Sequence, residues 1–433
     1  MSAPFLGLVV VLTLFIILFL RMPVWIALMI CGVVGNTVLS QFSVAGAVAG
    51  TNSFDTASNY ALSVIPLFIL MGEVATNSRL SAELFKAARV LLSGIPGGLA
   101  VATIGASGAF GAVCGSSIAT AATMTRISLP EMREAGYDDG FSAASVAAGG
   151  SLGILIPPSI ILVIYAAIAE QPLPQLFAAA FVPGLVLMLL YIVIALIVAR
   201  RGSGAGFRDA SASLRERLAA LKEPWQFLAL FIVSIGGIYA GIFSPNEAAA
   251  VGAFGAIVLG FVGRRLTFSG LFQAFKVSTI TSCVLFMIVI AATIFSNFIV
   301  QTKLPDLLLS GAQALDLAPW GVMILIIAIY IVMGCFLEGI GMVLITVPVF
   351  LPVVTSFGYS SIWFAIVVVV VVELGLIHPP VGMNLFIIQA QAPELDIKRL
   401  YVAILPFLIA PFALIALLFV FPSLALWLPS ILY

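Results

Sequence analysis

Four interruptions of apolar sequence hold the residues that could do chemistry. They read GAVCGSSIAT at 111–120, GGSLGILIPPS at 149–159, GCFLEGIGMVLITVP at 334–348 and ELGLIHPPVGMN at 373–384. Glycine lets backbones approach closely, while Pro157 and Pro158 remove amide donors and leave carbonyl oxygens without helical partners. Ser116, Ser117, Ser151 and Ser159 add neutral hydroxyl oxygens. A cage of carbonyl and hydroxyl oxygens without carboxylates suits a monovalent cation such as sodium better than a transition metal. The same glycines and serines also fit a plain packing role, in which small residues let helices touch. Glu338, Glu373 and His378 are ionisable groups in apolar surroundings and therefore functional candidates. Glu338 is read as a site residue. Glu373 is either functional or hydrogen-bonded between helices, and His378 either carries protons near neutral pH or packs as a neutral ring.

Familiar catalytic patterns are missing. The chain has one histidine and no HExxH, GxSxG or GxxxxGK[ST] signature, and no base stands at motif spacing from Ser116 or Ser117. A membrane-embedded enzyme with a serine nucleophile is therefore the weaker reading, and no catalytic residue is assigned. Cys31, Cys114, Cys283 and Cys335 stand singly, without a CxxC pair, and are read as packing residues. A formal net charge of zero gives no basic surface for nucleic acid.

The elements that must position these residues are membrane helices. Of 433 residues, 63% are hydrophobic and 8% charged, and mean hydropathy is +1.25. Apolar runs approach the roughly 20 residues that a helix needs to cross a bilayer, and they lack the alternation of a barrel strand. The first run has no basic residue before it and no small-residue cleavage site after it, so it is expected to stay as a span. The class is an all-α polytopic membrane protein.

A repeat organises the spans. LGILIPPSI at 152–160 matches LGLIHPPVG at 374–382, with Pro157-Pro158 on Pro379-Pro380, at an offset of 222 residues. The same offset carries Leu129-Pro130 onto Leu351-Pro352 and places Glu338 opposite Ser116. Two halves, 1–199 and 225–433, are thus predicted around a polar linker at 200–224. The first comprises spans at 3–20, 22–40 and 60–78, a re-entrant hairpin at 94–128, a broken span at 141–169 and a span at 176–199. The second comprises spans at 225–242, 246–263 and 278–300, a hairpin at 319–355, a broken span at 361–390 and a span at 400–430. About ten transmembrane helices and two hairpins result.

Placing both termini outside puts Arg21, Arg79, Lys86, Arg89, Arg126, Arg133, the linker, Arg264, Arg265, Lys276, Lys398 and Arg399 on the cytoplasmic side, with only Lys303 outside. Five crossings per half then invert the second half relative to the first, an architecture of secondary transporters. Glu73 is expected at the cytoplasmic interface beside Arg79. Residues 80–92 read as an interfacial amphipathic helix.

The stretch at 66–166, together with GCFLEGIGMVLITVPVFLPVV and ELGLIHPPVGMNLFIIQA, resembles the large membrane subunit of tripartite ATP-independent periplasmic (TRAP) transporters, the DctM type, over essentially the whole chain. The resemblance implies sodium-coupled import of an organic acid, such as a C4-dicarboxylate or sialic acid, across the cytoplasmic membrane of a bacterium or archaeon. It implies a periplasmic binding protein, a separate small four-helix membrane subunit, elevator motion and no organic cofactor. A stand-alone ion-coupled carboxylate carrier is the alternative. By motif, the resemblance assigns one sodium site to Gly115, Ser116, Ser117, Gly149, Gly150, Ser151 and Gly153. It assigns a second to Gly339, Gly341, Gly375, Pro379, Gly382 and Asn384, and turns Ser116, Ser117, Ser159, Glu338 and His378 toward substrate. The family often has Asp where Glu338 stands and a small residue such as Thr where His378 stands.

Overall fold

The computed structural model describes residues 2–433 apart from Arg21, Arg79 and 204–211. The predicted cytoplasmic placement of Arg21 and Arg79, the pairing of Arg79 with Glu73 and the middle of the linker lie outside the described residues. Every regular element among the described residues is helical.

The first half runs through α1 (Ala3–Phe19), α2 (Val24–Leu39), α3 (Phe42–Ser58), α4 (Val64–Asn77) and α5 (Leu80–Leu91). A hairpin follows, α6 (Gly98–Cys114) and α7 (Ser117–Glu134), then a helix broken into α8 (Asp139–Ser151) and α9 (Ile160–Ala169), then α10 (Leu173–Val198). After the short α11 (Leu214–Ala220) the second half begins with α12 (Trp225–Phe231) and α13 (Gly237–Tyr239), joined by a π-helical turn. It continues with α14 (Pro245–Val262), α15 (Phe268–Gln301), α16 (Leu304–Ala314) and the hairpin α17 (Pro319–Gly334) and α18 (Gly339–Ser356). The last pieces are α19 (Ser361–Ile377), α20 (Met383–Gln391), α21 (Ile397–Val420) and α22 (Ser423–Leu432).

Helix ends keep one register. Shifted by 222 residues, Ser117–Glu134 falls on Gly339–Ser356, and α5, α6, α8, α9 and α10 fall within a few residues of α16, α17, α19, α20 and α21. Both Pro157-Pro158 and Pro379-Pro380 are cis.

Length decides which pieces can span alone. Among the described residues six helices are long and apolar enough to cross a bilayer, whereas α6, α9, α17 and α19 belong to a shorter apolar class of 10–17 residues. Such pieces reach only part of the way at 1.5 Å per residue and must end against protein. They do so at the centre: Gly140–Ser151 of α8 and Trp363–Ile377 of α19 are buried along their whole length. A helix buried on every face needs no polar side, which fits the six consecutive valines at 367–372. Peripheral helices instead show Phe5, Leu12, Phe254, Ile280 and Ile409 outward, as lipid contact allows.

The boundaries differ from the sequence reading in several places, among them α16, which forms at 304–314 where no element was expected. Residues 42–58, left without an element, form α3. The span at 278–300 starts ten residues earlier, where Thr267 caps the amide of Gly270 at 3.1 Å. The run at 400–430 breaks at Phe421-Pro422, and α22 turns back against α10. The first hairpin runs on to Glu134, beyond 128, with Pro130 inside its second arm.

Candidate functional site

Both hairpins end beside the breaks. Helix α6 stops because Gly115 adopts a left-handed conformation (φ 65°) and returns its amide to Gly111 O at 2.8 Å. A Cβ at Gly115 would also lie 2.9 Å from the carbonyl oxygen of Pro158, so only glycine brings this tip onto the first break. Ser116 then starts α7 as its N-cap, accepting from the Ala119 amide, while its own carbonyl accepts from the Thr120 hydroxyl at 2.8 Å. In the second hairpin Glu338 occupies the N-cap of α18 without a side-chain cap bond, which leaves its carboxylate free.

These pieces enclose a narrow cleft of about 70 Å³, lined by Gly115, Ser116, Ser117 and Ile118 of one tip and by Glu338, Gly339 and Ile340 of the other. Ile154, Ile160 and Ile161 beside the first break and Leu376 beside the second complete it. Helices α7, α9 and α18 all begin at its wall, so three helix N-termini aim their free amides and positive dipole ends there. A far larger crevice, about 710 Å³ between α1 and α17, is lined by apolar side chains such as Phe15, Phe19, Val332 and Phe336 and offers nothing to an organic acid.

The structure brings some of the sequence candidates together and places others elsewhere. Gly115, Ser116, Ser117, Glu338 and Gly339 meet in the cleft. Ser117 Oγ donates to Asn384 Oδ1 at 2.9 Å, which ties the first tip to the first turn of α20. Ser159 is buried beside the cleft; its hydroxyl donates to the carbonyl of Ile154 at 2.5 Å and accepts from the Leu162 amide, so it closes the break and caps α9. His378 ends α19, with Nδ1 at 3.8 Å from Cys335 Sγ.

Several glycines sit at crossings. A Cβ on Gly149 would meet Ser107 at 2.8 Å, and one on Gly150 would meet Ala121 at 2.8 Å. Their carbonyls receive the Leu152 amide. Ser151 donates to Ala148 O at 2.9 Å and lies 3.2 Å from Tyr191 Oη. Gly153 lies under the first tip, where a Cβ would stand 3.1 Å from Ser116 O. Gly375 crosses Gly334 so closely that a Cβ on it would lie 2.8 Å from Gly334 Cα, Gly341 faces Val24 of α2, and Gly382 (φ 63°) turns the chain into α20. Pro379 offers its carbonyl 3.9 Å from Cys335 Sγ.

Glu373 is wholly buried in α19, where its carboxylate faces the backbone of Leu155 at the first break. Sequence reasoning missed Thr120 and Tyr191, because a Thr or Tyr within an apolar run carries no sign of what it will touch.

A family model described as "Tripartite ATP-independent periplasmic transporter, DctM component" matches residues 11–424. The chain is 35% identical over 378 residues to the C4-dicarboxylate TRAP transporter large permease protein DctM of Pseudomonas aeruginosa, covering 87% of this chain and 88% of that one. It is 30% identical to the sialic acid TRAP transporter large permease protein SiaM of Vibrio cholerae, over 86% and 87% of the two chains. It is 32% identical to the ectoine TRAP transporter large permease protein TeaC of Halomonas elongata, over 85% and 86%. Among solved structures, the YdaH transporter of Alcanivorax borkumensis shares the fold at a TM-score of 0.58, over 90% of this chain and 89% of that one at 14% identity.

Proposed function

The chain belongs to the DctM component family of tripartite ATP-independent periplasmic transporters, and from that premise we propose that it imports an organic acid on a sodium gradient. It is a large permease subunit of such a system, in a multi-pass membrane chain. Its partners in this reading are a small membrane subunit and a periplasmic binding protein, and its membrane is the bacterial or archaeal inner membrane.

The observation that carries the reading is the cleft where both hairpin tips meet beside both breaks. The N-termini of α7 and α9, with the hydroxyls of Ser116 and Ser117, favour the carboxylate of the cargo. Glu338 opposes a second negative charge across the cleft. Sodium beside Glu338 and Gly339 balances that charge, and the oxygens of Ser117 and Asn384 suit another sodium; both ions travel as cargo. At about 70 Å³ the cleft is smaller than a cavity that admits benzene, about 150 Å³. Loading therefore requires a hairpin to withdraw. The two halves are read as inverted repeats, with hairpins and broken helices moving as an elevator against the lipid-facing helices.

The test is uptake into proteoliposomes that hold this chain and its small subunit, with purified binding protein and an inward sodium gradient. Uptake should require both. Uptake indifferent to the binding protein would favour a stand-alone carrier, and uptake indifferent to sodium would remove the coupling assignment.

A further inference from the structure

His378 lines no part of the cleft, yet it is the chain's one histidine. Its surroundings suggest a different employment. Helix α17 ends at Gly334, and the next residue, Cys335, turns its thiol toward the second break. There Cys335 Sγ lies 3.8 Å from His378 Nδ1 and 3.9 Å from the carbonyl oxygen of Pro379, while its proton is donated back along α17 to Ile331 O at 3.4 Å, a bond given up when the thiol binds metal. The thiol is buried, whereas His378 is partly exposed, which gives a path from solution.

These separations have a meaning. Zinc binds thiolate sulfur at about 2.3 Å and imidazole nitrogen at about 2.0–2.1 Å, so two such ligands on one ion at angles of about 110–120° stand roughly 3.6–3.8 Å apart. The sulfur and the nitrogen already stand at that distance, and the Pro379 carbonyl lies at a comparable distance from the sulfur.

We propose that Cys335, His378 and the Pro379 carbonyl form a site for a thiophilic divalent cation of the zinc type, completed by water. Binding releases the thiol proton to solvent and leaves the imidazole neutral, with Nδ1 on the metal. Because Cys335 belongs to the second hairpin and His378 to the second break, the ion staples these two elements together. The staple halts transport, a consequence that rests on the functional reading above; the binding itself does not.

Metal binding is measured on the purified chain with its small subunit, by competition between zinc and a fluorescent chelator. Wild type should take up one more zinc than Cys335→Ala or His378→Thr, and cobalt should give a thiolate-to-metal charge-transfer band that Cys335→Ala lacks. Equal zinc uptake by all three proteins overturns the site. In proteoliposomes, micromolar zinc should reduce uptake at least tenfold and a chelator should restore it, while magnesium does nothing. Each variant, normalised to its own zinc-free rate, should need at least tenfold more zinc. Undiminished uptake with the site filled overturns the staple, whereas absence of sodium-driven uptake in metal-free wild type strikes the functional reading instead. Should a variant not fold, Cys335→Ser, which keeps size and polarity, supplies the same comparison.

Discussion

Ser117 joins two parts of the chain 267 residues apart through one hydrogen bond, to Asn384. A buried neutral bond of this kind contributes about 1 kcal/mol net. Ser117→Ala and Asn384→Ala are each expected to raise the sodium concentration for half-maximal uptake about fivefold. The double variant should do little more, since both changes remove the same bond; strictly additive effects would show that the bond plays no part. That Ser116, Ser117 and Glu338 would come together was legible in the sequence, because all three are polar groups at matching helix breaks of the repeat. Ser159 was not, because nothing in the order of residues says that its hydroxyl folds back onto the carbonyl five residues upstream. Gly149 and Gly150 were equally legible as cage and as contact, and only the distances to Ser107 and Ala121 show the contact.

Between elements, closeness of approach is what the sequence specifies with glycine. A Cβ at Gly111 would stand 2.5 Å from Gly153 Cα, and one at Gly375 2.8 Å from Gly334 Cα, backbone atoms that have nowhere to go. Gly375→Ala should destabilise by about 1–3 kcal/mol and lower the melting temperature in detergent. Gly46→Ala in α3, where no neighbour lies within 4 Å, should be neutral or slightly stabilising, so equal effects would refute the crossing. At one end of the bundle Arg133 of α7 binds both Asp139 of α8 and Glu394 in the loop before α21. The Arg133 guanidinium holds the Glu394 carboxyl below its ordinary range, so its contribution to stability is present above that range and lost as pH falls through the lowered value. Thermal melts from neutral to strongly acid pH should show wild type losing more stability than Glu394→Gln; parallel curves would count against the pair. Helix α3 was illegible because Gly46, Gly50 and a polar second half dilute the apolar signal that marks the other spans.

Across the whole molecule the question is what moves. Val24 of α2 and Gly341 of α18 touch where a peripheral helix meets the second hairpin, and a Cβ built on Gly341 would lie 3.7 Å from Val24 Cβ. That spacing suits a disulfide, for which about 3.8 Å is usual. In a background without the native cysteines, Val24→Cys with Gly341→Cys should cross-link on oxidation, abolish uptake and recover it on reduction. Full cross-linking with normal uptake would mean that these two surfaces never part. The shared register of helix ends, the breaks and the membrane class were legible because proline pairs and apolar length survive in one dimension, while the meeting of the two tips depends on contacts hundreds of residues apart. The halves also differ in a way that their shared register conceals. Helix α15 is a single rod of 34 residues, about 51 Å long, whereas its counterpart is hinged between α3 and α4, where Asn59 accepts from the Ala61 amide in a tight turn. A stiff strut on one side and an articulated one on the other make the machine mechanically lopsided. Flexing should then concentrate at 59–63, whose amides are expected to exchange with deuterium sooner than those of the matching stretch at 281–285.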